Sequence, residues 1–74
     1  TVTLADSARA AAAAVDQALA AGQPLGPLAG VPFTVKENVD VQGSATTWGV
    51  KALAGQVAAA DAPIVARLRE AGAI

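Results

Sequence analysis

Cysteine and histidine are both absent from the 74 residues. Their absence excludes disulfide staples, thiol nucleophiles, Cys/His zinc sites and imidazole bases together. Aromatics are nearly absent too, with one tryptophan and one phenylalanine, so a large self-sufficient core is not expected. The 54% hydrophobic content is mostly small, with alanine runs at 10–14 and 58–60. Alanine favours helix but buries little area. A chain of this size buries only about 60% of its unfolded surface, so independent stability is expected to be marginal. Charge is sparse at 15%, the net charge is −1, and neither sign clusters. That excludes the basic stripe of a nucleic-acid surface and the polybasic patch of a membrane-surface protein. No apolar run approaches the roughly 20 residues of a membrane span. The alanine-rich start also lacks the basic leader and hydrophobic block of a signal peptide. The expected setting is cytoplasmic, with neither nucleic acid nor membrane as partner.

What is present reads in chain order. Residues 3–21 have helical spacing, with Leu4, Ala8, Ala11, Val15 and Leu19 on one stripe. Thr3 with Asp6 forms a candidate capping pair, or Asp6 itself caps; Gly22 ends the helix and Pro24 prevents a restart. The stripe is thin, so this helix is expected to lie against a larger body. Residues 23–30 form a loop punctuated by Pro24, Gly26, Pro27 and Gly30. Residues 31–41 alternate like a strand, with Pro32 at its start or edge and a turn beginning near Asn38 and Asp40. Residues 43–49 read as irregular and 50–53 as a short helical turn. A second helix is expected over residues 62–71, with Asp61 as N-cap, Pro63 in the first turn and Gly72 closing it. Its buried stripe would be Ile64, Val65, Leu68 and Ala71, leaving Arg67, Arg69 and Glu70 in solvent. Helix, strand, helix and an incipient strand at Ile74 suggest an α/β arrangement. A chain that starts at Thr1 and stops just past Gly72 is expected to be a piece of something longer.

The chemistry concentrates in the strand-like run. Val31, Phe33 and Val35 would face one way, and Thr34, Lys36 and Asn38 the other. On pattern alone Lys36 is a solvated lysine on an open strand face. The wider text changes that reading. Gly26-Pro27-Leu28-Ala29-Gly30 leads into Val31-Pro32-Phe33-Thr34-Val35-Lys36-Glu37-Asn38-Val39-Asp40-Val41. Thr46-Thr47-Trp48-Gly49 follows, then Asp61-Ala62-Pro63-Ile64-Val65-Ala66-Arg67-Leu68-Arg69-Glu70-Ala71-Gly72-Ala73-Ile74. In order and spacing these runs resemble the amidase signature family over residues 26–74.

The resemblance implies a fold: the N-terminal helix–strand–loop–helix segment of a mixed-sheet α/β amidase domain, truncated and incomplete on its own. It also implies a Ser–Ser–Lys catalytic set without metal or cofactor. One serine attacks the amide carbonyl, a second relays the proton, and a neutral lysine accepts it. Lys36 matches the lysine position. The implied partners are a small-molecule amide substrate and the remainder of the amidase chain, with a homodimer left open.

Elementary chemistry agrees with that role. A serine nucleophile needs an adjacent base, Ser–Lys variants of the catalytic triad exist, and no histidine is available here. A neutral lysine needs deep burial, more than a marginal chain can supply. The family's two serines lie in Gly/Ser-rich segments further downstream. Ser7 and Ser44 sit in no such setting, so the isolated chain is expected to be inactive. Glu37 stands where many relatives carry Asp. Thr46, Thr47 and Trp48 read as a packed loop or as the lining of a substrate channel, and Lys51 as a surface charge. Glu37 and Asp40 as paired carboxylates or metal ligands lack a third partner. Two alternatives stay open. One is the transamidase component that converts misacylated glutamyl-tRNA, with ammonia transfer and further protein partners. The other is a non-catalytic packing module.

Overall fold

The computed structural model describes residues 3–74. It holds helix α1 (Ala5–Ala20), a 3-10 turn at Lys51–Leu53 and helix α2 (Pro63–Glu70). Among the described residues no strand forms; an isolated antiparallel bridge joins Ala45 and Val57. None of the described helices is long and apolar enough to cross a membrane.

Both helices stop by the same device. At the end of α1, Gln23 N–H donates to Ala18 C=O (3.0 Å) and Gly22 N–H to Leu19 C=O (3.1 Å). At the end of α2, Ala73 N–H donates to Leu68 C=O (3.0 Å) and Gly72 N–H to Arg69 C=O (2.9 Å). This crossed pair satisfies carbonyls that the helix leaves unpaired. It requires a residue with positive φ, which Gly22 (68°) and Gly72 (97°) supply. The start of α1 differs from expectation. Leu4 is its N-cap and makes no side-chain capping bond, so the Thr3–Asp6 pair is not used. Ser7 Oγ instead donates to Leu4 C=O at 3.0 Å.

The chain divides into two compact units, and the division passes within α2. The first comprises Thr3–Phe33 and Leu68–Ile74. In it, the half-buried line of α1 runs through Ala8, Ala12, Val15 and Ala18. Leu4 (40% exposed) and Leu19 (65%) fall off the stripe expected for them. Alanines surround the helix on all sides, so its hydrophobic pattern does not fix its rotation. Val15 does: its Cγ1 lies 4.0 Å from where a β-carbon on Gly30 would stand.

The rest of this unit is the docking of residues 26–33 onto the end of α2. Leu28 N–H donates to Ala71 C=O (2.8 Å) and Gly30 N–H to Gly72 C=O (3.1 Å). Phe33 N–H donates to Ile74 C=O (2.7 Å), and Ile74 N–H returns to Val31 C=O (2.8 Å). The approach is too close for side chains. A β-carbon on Gly26 would stand 2.3 Å from the Ala71 carbonyl oxygen, and one on Gly72 2.8 Å from Ala29 Cα.

These bonds correct the expected strand over 31–41. The pair of bonds linking Ile74 to Val31 and Phe33 is one rung of a parallel ladder. Pro32 fits between them because this parallel rung uses the Val31 carbonyl and the Phe33 N–H, not the N–H that proline lacks. Beyond Phe33 no ladder continues among the described residues, and the chain turns at Glu37 and Asn38. An extended segment without a paired neighbour has nothing to hold it as a strand. The mixed sheet of the expected α/β fold is therefore not formed among the described residues.

The second unit contains Thr34–Arg67. Its buried residues are Val41 (8% exposed) and Val65 (2%). Residues 40–42 are stapled to the start of α2, where Ala62 N–H donates to Asp40 C=O (2.9 Å) and Gln42 N–H to Asp61 Oδ1 (2.8 Å). A short antiparallel pairing follows. Gly43 N–H meets Ala58 C=O (3.0 Å), Ala58 N–H meets Ser44 C=O (3.0 Å), and Thr46 N–H meets Gln56 C=O (3.1 Å). On α2 the stripe is narrower than expected, because Ile64 is 64% exposed while Val65 is fully buried.

Gly26→Ala should destabilise the full-length protein by about 1–3 kcal/mol, because the clashing atom is backbone and cannot rotate away. Gly55 has no atom within 4 Å of a β-carbon, so Gly55→Ala should change stability by less than about 0.5 kcal/mol. Denaturant midpoints of the two variants test this, and equal losses would show that the close approach at Gly26 is unimportant.

Candidate active site

Lys36 lies in the second unit, where the strand-like run ends. Its carbonyl accepts Val39 N–H at 3.0 Å, closing a turn over residues 36–39. The alternation read from sequence survives around it: Val35 is half-buried, whereas Thr34 and Lys36 are exposed. Lys36 forms no ion pair among the described residues. The lysine therefore stands at a corner and not in mid-strand.

One threonine grips that corner, and its neighbour braces the residue just past it. Thr47 Oγ1 donates to Glu37 Oε2 at 2.6 Å, and Trp48 N–H donates to the Glu37 carbonyl at 3.2 Å. The residue after the lysine is thus gripped by side chain and main chain. Thr46 Oγ1 makes the equivalent bond to Asp40 Oδ1. Hydroxyl-to-carboxylate bonds of this kind are charge-assisted and stronger than neutral ones. Glu37 and Asp40, weighed from sequence as paired carboxylates, each meet a threonine hydroxyl instead. The signal was available in principle, as two acids three apart facing two adjacent threonines. Only the turn geometry brings them together.

The threonines are presented by a tight turn. Val50 N–H donates to Thr47 C=O at 2.8 Å, and both central residues have positive φ, Trp48 at 53° and Gly49 at 77°. This is the pattern of a type I′ turn. Glycine adopts it freely; tryptophan does so at a cost of about 1–2 kcal/mol. Gly49 N–H also donates to Thr47 Oγ1 (3.2 Å), so that hydroxyl both donates and accepts. Trp48 is 65% exposed and borders an open depression of about 480 Å³ with Asp40, Thr46, Leu53 and Val57. Asn38 Oδ1, two residues from the lysine, is buried without a hydrogen-bond partner. The two serines are placed elsewhere. The Ser7 hydroxyl is engaged with Leu4 C=O, and Ser44 belongs to the antiparallel pairing with Ala58.

A protein-family model, Amidase, matches residues 1–74, the whole chain. The chain belongs to the amidase family. Among curated relatives it is 49% identical over 70 residues to a glutamyl-tRNA(Gln) amidotransferase component of Acidothermus cellulolyticus, covering 95% of this chain and 14% of that protein. It is 48% identical over 73 residues to the indoleacetamide hydrolase of Bradyrhizobium diazoefficiens, covering 99% of this chain and 14% of that protein. A solved structure matches at a TM-score of 0.93 and 43% identity, over 100% of this chain and 16% of its own. It is described as a vestigial protein complex that reveals the evolutionary origins of an s-triazine catabolic enzyme. This amidase chain thus spans about 14% of the length of these curated relatives.

The staple at Asp61 supports the segment that carries Asp40. Asp61→Ala should leave Gln42 N–H without its protein acceptor and destabilise the unit by about 1 kcal/mol. Hydrogen exchange at the Gln42 amide should accelerate by roughly fivefold, the same energy expressed as an opening equilibrium. Unchanged exchange would show that Asp61 does not hold the loop.

Proposed function

We propose that this segment supplies the general base of a carboxylic-amide hydrolase, and that the base is Lys36. The observation that carries the reading is family membership over the whole chain, with Lys36 in the family's lysine run and held at a bonded corner. In the proposed reaction a serine outside this segment attacks the amide carbonyl carbon. Its proton passes through a second serine to the neutral Nζ of Lys36. The tetrahedral intermediate collapses as that proton is returned to the leaving amine. Water then cleaves the acyl-enzyme ester by the same relay in reverse.

Lys36 is exposed among the residues described, and a neutral lysine needs desolvation. The reading therefore assigns the covering of Lys36 to other parts of a full-length enzyme. The rung joining Ile74 to Val31 and Phe33 supports a further part of the proposal, that these residues seed neighbouring parallel strands of a mixed sheet. Transamidation is the second reading, since the relative named as an amidotransferase is as similar as the one named as a hydrolase. Both reactions would share the acyl-enzyme and its hydrolysis by water, and would differ in whether the released ammonia is lost to solvent or passed to a separate acyl acceptor.

In the full-length enzyme, Lys36→Ala should lower kcat by at least about 10³, with folding intact. Lys51→Ala, in the 3-10 turn, should change it by less than about threefold. Lys36→Arg should be nearly as damaging as Ala, because a guanidinium keeps its proton. Equal losses from the two Ala variants, or an active Arg variant, would remove Lys36 from the mechanism. The isolated chain should release no ammonia from a simple amide; turnover by it would overturn the Ser–Ser–Lys assignment.

A further inference from the structure

We infer that Thr47 is a positioning residue for Lys36, acting through Glu37. The inference rests on the assignment of Lys36 as base. A general base must stand within about 2.6–3.2 Å of the proton it takes, and a misplacement of about 1 Å can cost 10²-fold in rate. Lys36 is poorly placed to meet that demand unaided. It is exposed, lies on a turn and carries a flexible four-carbon stem. What fixes the backbone beside it is Glu37, held by its carboxylate to Thr47 Oγ1 (2.6 Å) and by its carbonyl to Trp48 N–H (3.2 Å). Thr47 Oγ1 is fixed in turn by Gly49 N–H (3.2 Å), so its rotor is constrained from both sides.

A second observation points the same way. Trp48 is the one non-glycine residue with positive φ among those described, and it directly follows Thr47. Backbone strain of this kind persists only where surrounding bonds over-determine it, and it concentrates at functional sites. Here the turn that carries it is closed by Val50 N–H to Thr47 C=O, and Trp48 N–H at its tip bonds the Glu37 carbonyl.

Thr46 provides an internal control. Its hydroxyl makes the same type of bond, but to Asp40, four residues from the lysine. A purely structural role predicts similar consequences for both threonines; positioning predicts consequences for catalysis at Thr47 alone.

The experiment uses the full-length enzyme and the amide it turns over fastest among acetamide, benzamide and indole-3-acetamide. Thr47→Val should lower kcat by about 10- to 100-fold with KM within about twofold. Thr46→Val should keep kcat within about threefold while lowering Tm about as much as Thr47→Val does. Thr47→Ser, which restores the hydroxyl, should bring kcat back to within about threefold of the unaltered enzyme. If Thr47→Val does not fold, Glu37→Gln reads the same clamp, with an expected loss of about 3- to 10-fold in kcat. Unchanged kcat in the clamp variants, equal losses at Thr46 and Thr47, or no rescue by serine would overturn the inference. An active Lys36→Ala enzyme would instead sink the assignment of the base, so the two failures are distinguishable.

Discussion

The first unit depends on the close contact between residues 26–33 and the end of α2. Backbone bonds at Leu28, Gly30, Phe33 and Ile74 tie two distant stretches together. They can form only because Gly26 and Gly72 leave no β-carbon in the way. Each bond is worth about 1 kcal/mol net, so the set matters because it acts as one contact. It also fixes the single parallel rung at Val31 and Phe33. That rung is the last ladder contact before the chain reaches Lys36, three residues beyond Phe33.

The second unit solves a different problem. Its buried apolar residues are few, with Val41 and Val65 at its centre, so packing alone cannot hold a defined loop. Polar bonds do much of that work. Asp61 takes Gln42 N–H, Thr46 bonds Asp40, and Thr47 bonds Glu37. Carboxylates on one segment meet backbone N–H groups and hydroxyls on the next. Such bonds are directional, and they specify a loop's shape more sharply than a thin apolar cluster can.

The sequence made some of this legible. Gly22 and Gly72 announce helix ends because the crossed capping bonds need positive φ, a local requirement that leaves a local trace. The alternation at Val35 and Lys36 likewise follows from side-chain geometry in extended backbone. The family text around Lys36 was legible as well, through the order of several separate runs. Whatever depends on distant partners stayed hidden. Residues 31–41 look like a strand, but a strand exists only where a neighbour pairs with it, and among the described residues the pairing is that of Ile74. The rotation of α1 was hidden because alanine marks every face alike. The Thr47–Glu37 bond was hidden because residues ten apart meet only through a turn whose tryptophan has a φ that sequence rules discourage.

The exposure of Lys36 and the chemistry proposed for it pull in opposite directions, and the tension is informative. A base that takes a serine proton needs a free lone pair, and desolvation of a lysine favours the form that has one. Burial removes the water but adds no aim, and a buried flexible side chain can still point wrongly. Aim and desolvation are therefore separate requirements, and separate parts of a protein can meet them. On the proposed reading, the bonded corner at 36–39, gripped through Glu37, would supply aim within these residues. Desolvation would come from whatever covers the open face of that corner in a full-length enzyme. On this division of labour, the segment's proposed task would be to hold one nitrogen in place for a site completed by other parts of a full-length enzyme.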